Sequence, residues 1–386
     1  MYRFHSYIQE ALRLVEHYAC NEPFSVYLKK QFSLDKRKGS RDRKQITDIS
    51  YRFFRIGNSF PEHPREERMW IALLLTATDP DEIIQALKPE WAEYCSSAIH
   101  EKLKLIGKSI ADLKCFPLDE YLSREIDQPE FQLRFLKQPD VFLRVRPGNE
   151  TAVDSVLQKA AVGFRQLTPD CLLFKQGIQL DNLLQMNQQV VVQDINSQKV
   201  VPLLLNVFSM SDTFSVWDCC AASGGKAIQL HDLFPDSKLL VSDIRSSILN
   251  NLQERFRQAG IHTYTAQLLD LSKAVSMDDQ FDVIVADVPC SGSGTWSRTP
   301  EQLRCFSANQ IKDYVVLQQK ILTNVLPSLK AGGYLLYSTC SVFRDENESQ
   351  IKWLEEKFQL KTIDSGLLLE KKLSSDILYA ALLQKN

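Results

Sequence analysis

The chain has 386 residues, of which 44% are hydrophobic, and its formal net charge at pH 7 is −2. This length accommodates two or three domains, and this apolar content excludes a globally disordered chain. The nearly neutral charge excludes an overall basic protein, so any contact with nucleic acid must come from local patches.

The amino-terminal residues and the cysteines predict where the protein works. Residues 1–6 contain no apolar signal core, and no apolar run approaches the length of a membrane span. The nine cysteines include no CxxC pair and no metal-like spacing with the six histidines. We therefore expect a soluble cytoplasmic protein with free thiols, no metal site and no membrane contact, in which nothing demands more than a monomer.

Residues 1–125 are predicted to form an all-helical domain, because apolar residues such as Ile8, Leu12 and Val15 recur at helical spacing. Within it, residues 29–55 (here the basic stretch) carry ten cationic and three acidic side chains, a net charge of +7. Such segregation favours a surface that binds phosphate groups. A solvated charged segment with structural ion pairs is the alternative explanation.

Residues 126–205 are predicted to form a small α/β connector domain. Residues 140–145 and 189–193 have the composition of strands, and 151–161 that of a helix. Asp194 is predicted to cap the helix that follows the second strand.

Residues 206–386 are predicted to form an α/β domain with a doubly wound, mostly parallel sheet, because strand and helix patterns alternate along them. The predicted strands are 215–218, 238–242, 281–286 and 334–337, and the predicted helices are 226–233, 246–258, 308–326 and 346–358.

A loop of small residues follows the first of these strands and runs from Asp218 to Lys226. Its paired glycines let the backbone approach a ligand at a helix N-terminus, but its spacing matches neither a P-loop nor a dinucleotide fingerprint. Asp243, after the second strand, could accept hydrogen bonds from a ribose, and Asp270 could accept one from an adenine amino group. Together they predict an adenosyl cofactor without a polyphosphate. The alternative is a tight turn followed by two acids that cap helices.

Two cysteines, Cys290 and Cys340, each follow a predicted strand, so we expect their thiols to face one pocket. Methylation at carbon 5 of cytosine requires such a nucleophile. Addition of a thiolate to carbon 6 enables carbon 5 to attack a sulfonium methyl, after which the carbon 5 proton leaves and the thiol is eliminated. Asp287 could orient the base through its exocyclic amine. Free cysteines are more commonly buried small hydrophobes, and we assign that role to Cys20, Cys95, Cys115, Cys171 and Cys305.

Three motifs in this domain resemble those of the RsmB/Nop2/Sun family of RNA cytosine-5 methyltransferases, which use S-adenosylmethionine. The matching segments are Cys220–Lys226, Asp287–Gly294 and Ser338–Ser341. More weakly, residues 1–125 resemble a NusB-type helical RNA-binding domain.

The resemblance implies a Rossmann-like, class I S-adenosylmethionine-dependent methyltransferase domain after an all-α NusB-like domain and the connector. It implies that Cys340 attacks carbon 6, that Cys290 assists release of the product, and that Asp287 and Lys226 belong to the catalytic site. The residues implied to bind the cofactor are Cys220, Ala221, Ala222, Ser223, Gly224, Gly225, Lys226, Asp243, Asp270 and Asp287.

The sequence therefore predicts methylation of a cytosine in RNA, with small-subunit 16S rRNA as the substrate, because the NusB-like region accompanies the bacterial family member that acts on it. A tRNA target is one alternative, and a non-catalytic RNA-binding or ribosome-assembly factor is another. Two departures from the family pattern bear on these alternatives: Ser223 replaces a proline, and residues 376–380 differ from the usual segment.

Overall fold

A computed structural model describes residues 2–35, 38–274, 277 and 280–386, which divide into two units. The first unit holds the described residues up to Glu120 together with Ile126–Gln138 and Trp296–Ser307, and the second holds Tyr121–Glu125, Pro139–Thr295 and Ala308–Asn386. This division differs from the three predicted segments. Residues 139–205 of the connector cluster with the α/β domain, whereas Ile126–Gln138 and Trp296–Ser307 cluster with the amino-terminal helices.

The described residues form the following α-helices and β-strands. The helices are α1 (Tyr2–His17), α2 (Phe24–Leu34), α3 (Ser40–Arg55), α4 (Arg65–Thr76), α5 (Glu82–Leu87), α6 (Ile99–Leu105), α7 (Gln128–Arg134), α8 (Glu150–Lys159), α9 (Ile195–Gln198), α10 (Gly225–Leu233), α11 (Ser246–Ala259), α12 (Gln302–Cys305), α13 (Ala308–Val325) and α14 (Glu348–Phe358). The strands are β1 (Val141–Val145), β2 (Arg165–Thr168), β3 (Cys171–Phe174), β4 (Val190–Val192), β5 (Ser215–Asp218), β6 (Lys238–Asp243), β7 (Tyr264–Leu268), β8 (Phe281–Asp287), β9 (Leu329–Thr339), β10 (Leu360–Leu368) and β11 (Leu378–Lys385).

The first unit is helical, which confirms that prediction. Helix α1 buries Ile8, Ala11 and Leu14 on one face, because residues three and four apart share a helix face. Residues 296–307 belong to this unit because their apolar side chains complete its core: the Trp296 ring stacks on Phe116, with ring centroids 5.3 Å apart.

A disulfide joins Cys20 to Cys305 within the first unit. The prediction that these two cysteines are free buried thiols is therefore wrong. They lie 285 residues apart, and no spacing pattern in the sequence reveals that residues 296–307 pack with the amino-terminal helices. Cys95, Cys115 and Cys171 are free and buried, as predicted.

The second unit contains a seven-stranded sheet with the order β10-β11-β9-β8-β5-β6-β7 among the described residues. Strands β5 to β9 run parallel, whereas β11 pairs antiparallel with both β9 and β10. The predicted α/β class with a mostly parallel sheet is confirmed. The sequence analysis missed β7 and the antiparallel pair β10 and β11.

Helices cover both faces of this sheet because successive strand residues point to opposite sides. On one side Val216 of β5 packs in a cluster with Ile228 of α10 and Leu252 of α11. On the other side Trp217 of β5 packs in a cluster with Leu322 of α13. This two-sided burial is typical of doubly wound sheets.

The connector strands form a separate four-stranded antiparallel sheet in the order β2-β3-β1-β4. Buried ion pairs join it to α10, because Arg144 and Arg146 both donate to the Asp232 carboxylate at 2.6 and 2.7 Å. Asp194 caps α9 by accepting from the backbone N–H of Asn196, as predicted. Across the described part of the chain, no helix is long and apolar enough to cross a membrane.

Candidate active site

The loops that carry Cys290 and Cys340 leave adjacent parallel strands at the same edge of the sheet. Asp287 at the end of β8 pairs in register with Ser338 near the end of β9, so the two loops start side by side. The structure places the sulfur atoms of Cys290 and Cys340 3.3 Å apart. The two thiols that the sequence analysis singled out therefore face one site.

Backbone hydrogen bonds connect the Cys290 loop to the Cys340 loop and to the carboxyl-terminal segment. The Gly294 N–H donates to the Cys340 carbonyl at 2.9 Å, and the Ile377 N–H donates to the Gly294 carbonyl at 3.0 Å. A Cβ added at Gly294 would lie 1.9 Å from the Ile377 carbonyl oxygen, so no larger residue fits. The divergent carboxyl-terminal segment thus lies against the Cys290 loop.

Lys226 and Asp287 form an ion pair beside the thiols. The Lys226 Nζ donates to Asp287 Oδ2 at 2.7 Å, and the Ser338 hydroxyl donates to Asp287 Oδ1 at 2.7 Å. Burial lowers the pKa of Lys226, but the Asp287 carboxylate more than offsets this and leaves the pKa above its usual value. The site therefore holds a permanent cation next to an oriented carboxylate.

Cys290 is a poor acid in this setting. Its hydrogen-bond contact with the Cys340 thiol and its burial raise the pKa of Cys290 well above the usual value for cysteine. Cys290 therefore carries its proton at neutral pH.

The small-residue loop between β5 and α10 turns through two left-handed residues, Ala222 with φ 46° and Gly224 with φ 81°. A Cβ on Gly224 would lie 2.9 Å from the Leu252 side chain, so glycine is required for both conformation and space. Ser223, which replaces the family proline, accepts at its hydroxyl from Arg255 Nη1 at 2.8 Å. Arg255 thus stabilises the loop by a hydrogen bond at the position where a proline would restrict the backbone.

Asp243 ends β6 and Asp270 lies two residues beyond the end of β7, at this same edge of the sheet. Asp243 Oδ2 accepts from the Ala222 N–H at 3.1 Å, and its carboxylate also pairs with Arg245. Burial raises the pKa of Asp243, but Arg245 more than offsets this, so the group is more acidic than usual. Asp270 pairs with Lys273 at 2.9 Å and accepts from Ser272, which lowers its pKa.

Asp218, the last residue of β5, is a site residue that the sequence analysis did not single out. Its side chain is 1% exposed, and its Oδ1 atom has no hydrogen-bond partner among the described residues. Burial, followed by repulsion from the Asp287 carboxylate, raises the pKa of Asp218 to about 7. The sequence signal that could have identified Asp218 is an acidic residue at the end of a strand, directly before a loop of small residues.

Glu346 also lies at the thiols, although the sequence analysis noted it only as an acid after the second motif. Its carboxylate accepts from the Ser291 N–H at 2.8 Å and from the Ser341 hydroxyl at 2.6 Å. Each of these two serines directly follows one of the cysteines. Burial raises the pKa of Glu346.

Much of the basic stretch in the first unit serves internal contacts rather than an open surface. Arg55 is buried and donates to three backbone carbonyls, and Arg52 pairs with Asp81 at 2.6 Å. Lys38 pairs with Glu10. The exposed basic residues of the stretch are Lys29, Lys30, Arg41 and Lys44, while Lys36 and Arg37 lie outside the described residues.

The chain resembles known methyltransferases in sequence. Residues 204–375 match the family model described as "16S rRNA methyltransferase RsmB/F". The chain is 33% identical over 183 residues to "Ribosomal RNA small subunit methyltransferase B" of Erwinia tasmaniensis, which covers 47% of this chain and 42% of that protein. For the protein of that name from Xanthomonas campestris pv. campestris, the identity is 30% over 239 residues, covering 58% and 52%. The match thus spans about half the length of these curated relatives.

Two solved structures share the fold. The crystal structure of PH0851 matches with a TM-score of 0.67 and 21% identity, covering 99% of this chain and 98% of that chain. The structure of NSun6 from Pyrococcus horikoshii with SFG matches with a TM-score of 0.55 and 14% identity, covering 64% and 91%. The motifs at the sheet edge and the family-model match together make residues 204–375 of this chain similar to the RsmB/F methyltransferases.

Proposed function

We propose that this chain methylates carbon 5 of a cytosine in RNA, most specifically in small-subunit 16S rRNA, with S-adenosylmethionine as the methyl donor. The observation that carries the proposal is the 3.3 Å approach of the Cys290 and Cys340 sulfur atoms beside the Lys226–Asp287 ion pair. A binding protein has no need of two thiols and an oriented acid at one sheet edge.

Cys340 acts as the nucleophile in this proposal. Its sulfur forms a bond to carbon 6 of the cytosine, and the electron pair displaced toward carbon 5 makes that carbon reactive. The resemblance of Ser338–Ser341 to the family motif assigns the attack to Cys340, whereas contact with Cys340 and burial raise the pKa of Cys290. The Lys226 ammonium places a positive charge near Cys340, and Asp287 orients the base.

Cys290 assists the last step. A base takes the carbon 5 proton, the electron pair of that C–H bond forms the double bond to carbon 6, and the bond between Cys340 and carbon 6 breaks with its electron pair returning to the Cys340 sulfur. Cys290 lies within contact distance of that sulfur and can exchange a proton with it. This division of roles requires both thiols in one site.

The residues at the sheet edge fit a cationic adenosyl cofactor. Asp218 has a buried oxygen without a partner, and Asp243 and Asp287 add two further carboxylates near it. A buried unpaired acceptor is costly unless a ligand supplies a donor or a positive charge. S-adenosylmethionine, when bound, supplies the methyl group as an electrophile on a sulfonium. The residues proposed to hold it are Cys220, Ala221, Ala222, Ser223, Gly224, Gly225, Lys226, Asp243, Asp270 and Asp287.

The proposed RNA substrate is supported by the name that the curated relatives carry, which specifies the small ribosomal subunit. The helical first unit, proposed as a NusB-like RNA-binding domain, adds exposed cations at Lys29, Arg41 and Lys44.

The test is methyl transfer from labelled S-adenosylmethionine to unmodified small-subunit rRNA, tRNA and DNA. Wild-type protein is expected to label rRNA at carbon 5 of cytosine, and Cys340→Ala is expected to lose at least 10³-fold in rate because the covalent step is removed (on the order of ~4 kcal/mol). Cys290→Ala is expected to accumulate a covalent protein–RNA adduct that migrates slowly in a denaturing gel.

A Cys171→Ala variant serves as the control, because Cys171 is a buried thiol outside the site. Full activity of Cys340→Ala would refute the mechanism. Label in tRNA alone would change the substrate class, and RNA binding without methyl transfer on any substrate would favour a ribosome-assembly factor.

A further inference from the structure

The Cys290 and Cys340 loops are joined by a buried carboxylate. Glu346 Oε2 accepts from the Ser291 N–H at 2.8 Å, and Glu346 Oε1 accepts from the Ser341 hydroxyl at 2.6 Å. The Glu346 side chain is fully buried, with 0% exposure. One carboxylate therefore bonds to the residue directly after each thiol.

A glutamine on α13 extends this connection. The Gln318 amide donates to Glu346 Oε2 at 2.9 Å and to the Pro289 carbonyl at 3.1 Å, so it contacts the residue directly before Cys290. Gln350 in turn donates to Gln318 Oε1 at 2.8 Å, which fixes the orientation of the Gln318 amide. The Cys290 loop is thus held both before and after the thiol.

A second set of bonds anchors Glu346 itself. The Tyr337 hydroxyl donates to the Glu346 carbonyl at 2.6 Å, and Tyr337 belongs to β9, the strand that leads to Cys340. Next to Glu346, the Asn347 amide donates to the Ser341 carbonyl at 2.9 Å and accepts from the Thr339 hydroxyl at 2.6 Å. The carboxylate is therefore attached to the rigid strand and reaches from it to the other loop.

We propose that Glu346 is a positioning residue, which holds the Cys290 loop against the Cys340 loop and thereby sets the distance between the two thiols. Its carboxylate touches neither sulfur, so it acts through Ser291 and Ser341. Hydrogen bonds to a charged acceptor are among the stronger ones in proteins, and these are shielded from water. The importance of this distance for catalysis rests on the proposed function, whereas the distance itself can be tested without it.

The test measures how readily the two thiols pair with each other. In a buffer of oxidised and reduced glutathione, Cys290 and Cys340 pass two electrons and two protons to oxidised glutathione, which yields a disulfide and two reduced glutathione molecules. The equilibrium constant reports the effective concentration of one thiol at the other. The disulfide-linked peptides are quantified by mass spectrometry on the full chain, so that other cysteines do not interfere.

Glu346→Ala is expected to lower this equilibrium constant about tenfold, equivalent to about 30 mV in reduction potential, because the buried carboxylate that joins the two loops is lost and only their weaker contacts remain. Asp345→Asn is the matched control, since Asp345 is exposed and adjacent in sequence, and it is expected to stay within about twofold of wild type. An unchanged constant in folded Glu346→Ala protein would overturn the proposal.

Ser341→Ala tests the same connection with a smaller change, in case Glu346→Ala does not fold. It removes the hydroxyl that donates to Glu346 and is expected to lower the constant about threefold. If Glu346→Ala is unfolded and Ser341→Ala leaves the constant within experimental error of wild type, the proposal is also overturned.

A parallel activity measurement separates this proposal from the proposed function. Glu346→Ala is expected to lower kcat for RNA methylation at least tenfold while KM for RNA stays within about threefold. Wild-type protein that shows no methyl transfer would defeat the proposed function and leave the thiol equilibrium as the test of positioning.

Discussion

Arg55 in the helical unit and Asp218 at the edge of the parallel sheet are both buried ionisable side chains, but their surroundings differ. The Arg55 guanidinium donates to the carbonyls of Phe135, Lys137 and Ser297 at 2.9 to 3.1 Å. Asp218 leaves one carboxylate oxygen without a partner. The protein's own backbone therefore accepts the hydrogen bonds of Arg55, whereas the unpaired oxygen of Asp218 can accept one from a ligand.

This difference shows how a sequence signal should be weighed. A run of basic residues predicts a charged segment but does not state which side chains face outward, and Arg52 and Arg55 face inward. A residue at the carboxyl end of a parallel strand is placed by topology alone, and such residues meet at one edge. Signals that the fold itself positions are therefore stronger evidence for function than signals of composition.

The largest expected effect is the loss of stability when the buried Arg55 is removed. Arg55→Ala is expected to lower the free energy of unfolding by about 3–5 kcal/mol, because it leaves three buried carbonyls without donors. Urea unfolding followed by circular dichroism measures the loss. Arg41→Ala, at an exposed position of the same stretch, is the control and is expected to change the free energy by less than about 0.5 kcal/mol. A mild effect of Arg55→Ala would show that Arg55 is not a structural residue.

The next largest effect is the pH dependence of stability that Asp218 causes. The pKa of Asp218 is raised to about 7 in the folded chain, so the folded state holds a proton that the unfolded chain releases near pH 4. The stability of the protein therefore falls as pH rises from about 4 to about 7, and this contribution is fully present only below that range.

Asp218→Asn removes this contribution and is expected to gain about 1–3 kcal/mol relative to wild type between pH 4 and pH 8, as measured by urea unfolding at each pH. The exposed Asp236 supplies the control, and Asp236→Asn should keep a constant difference from wild type over that range. If the difference between Asp218→Asn and wild type does not change with pH, Asp218 is not held protonated.

The smallest effect concerns RNA affinity. The double variant Lys29→Ala with Lys44→Ala is expected to weaken rRNA binding by about two- to fivefold and to reduce its salt dependence, with little change in stability. Binding is measured by filter retention at several salt concentrations. Lys371→Ala with Lys372→Ala, in the second unit, is a charge-matched control. Equal losses in both double variants would mean that the basic stretch has no special role.

The motifs and four of the five parallel strands could be predicted because they depend on short-range patterns. Apolar runs such as residues 281–286 ended in small and reactive residues, and the observed strand β8 differs from the prediction by one residue. The antiparallel strands β10 and β11 were missed. Strand β10 contains exposed and half-buried residues such as Asp364, so its sequence resembles that of a loop.

Contacts between distant segments could not be predicted from a single sequence. The disulfide between Cys20 and Cys305, the bonds from Arg55 to carbonyls far along the chain, and the bridge from Glu346 to Ser291 all depend on how remote segments pack. Spacing rules describe neighbours along the chain, so they contain no information about such partners.

The helical unit includes a segment from late in the chain, and this affects when the unit can finish folding during synthesis. Residues 296–307 supply part of its core: the Trp296 ring stacks on Phe116, and Arg304 donates to the Val15 carbonyl at 2.8 Å. The ribosome makes α1 to α7 first, but this unit stays incomplete until residue 307 has left the exit tunnel. Domains generally fold as units in the order of synthesis. Here the last residues that pack into the helical unit are made only after most of the chain, so the final packing of this unit comes late in synthesis.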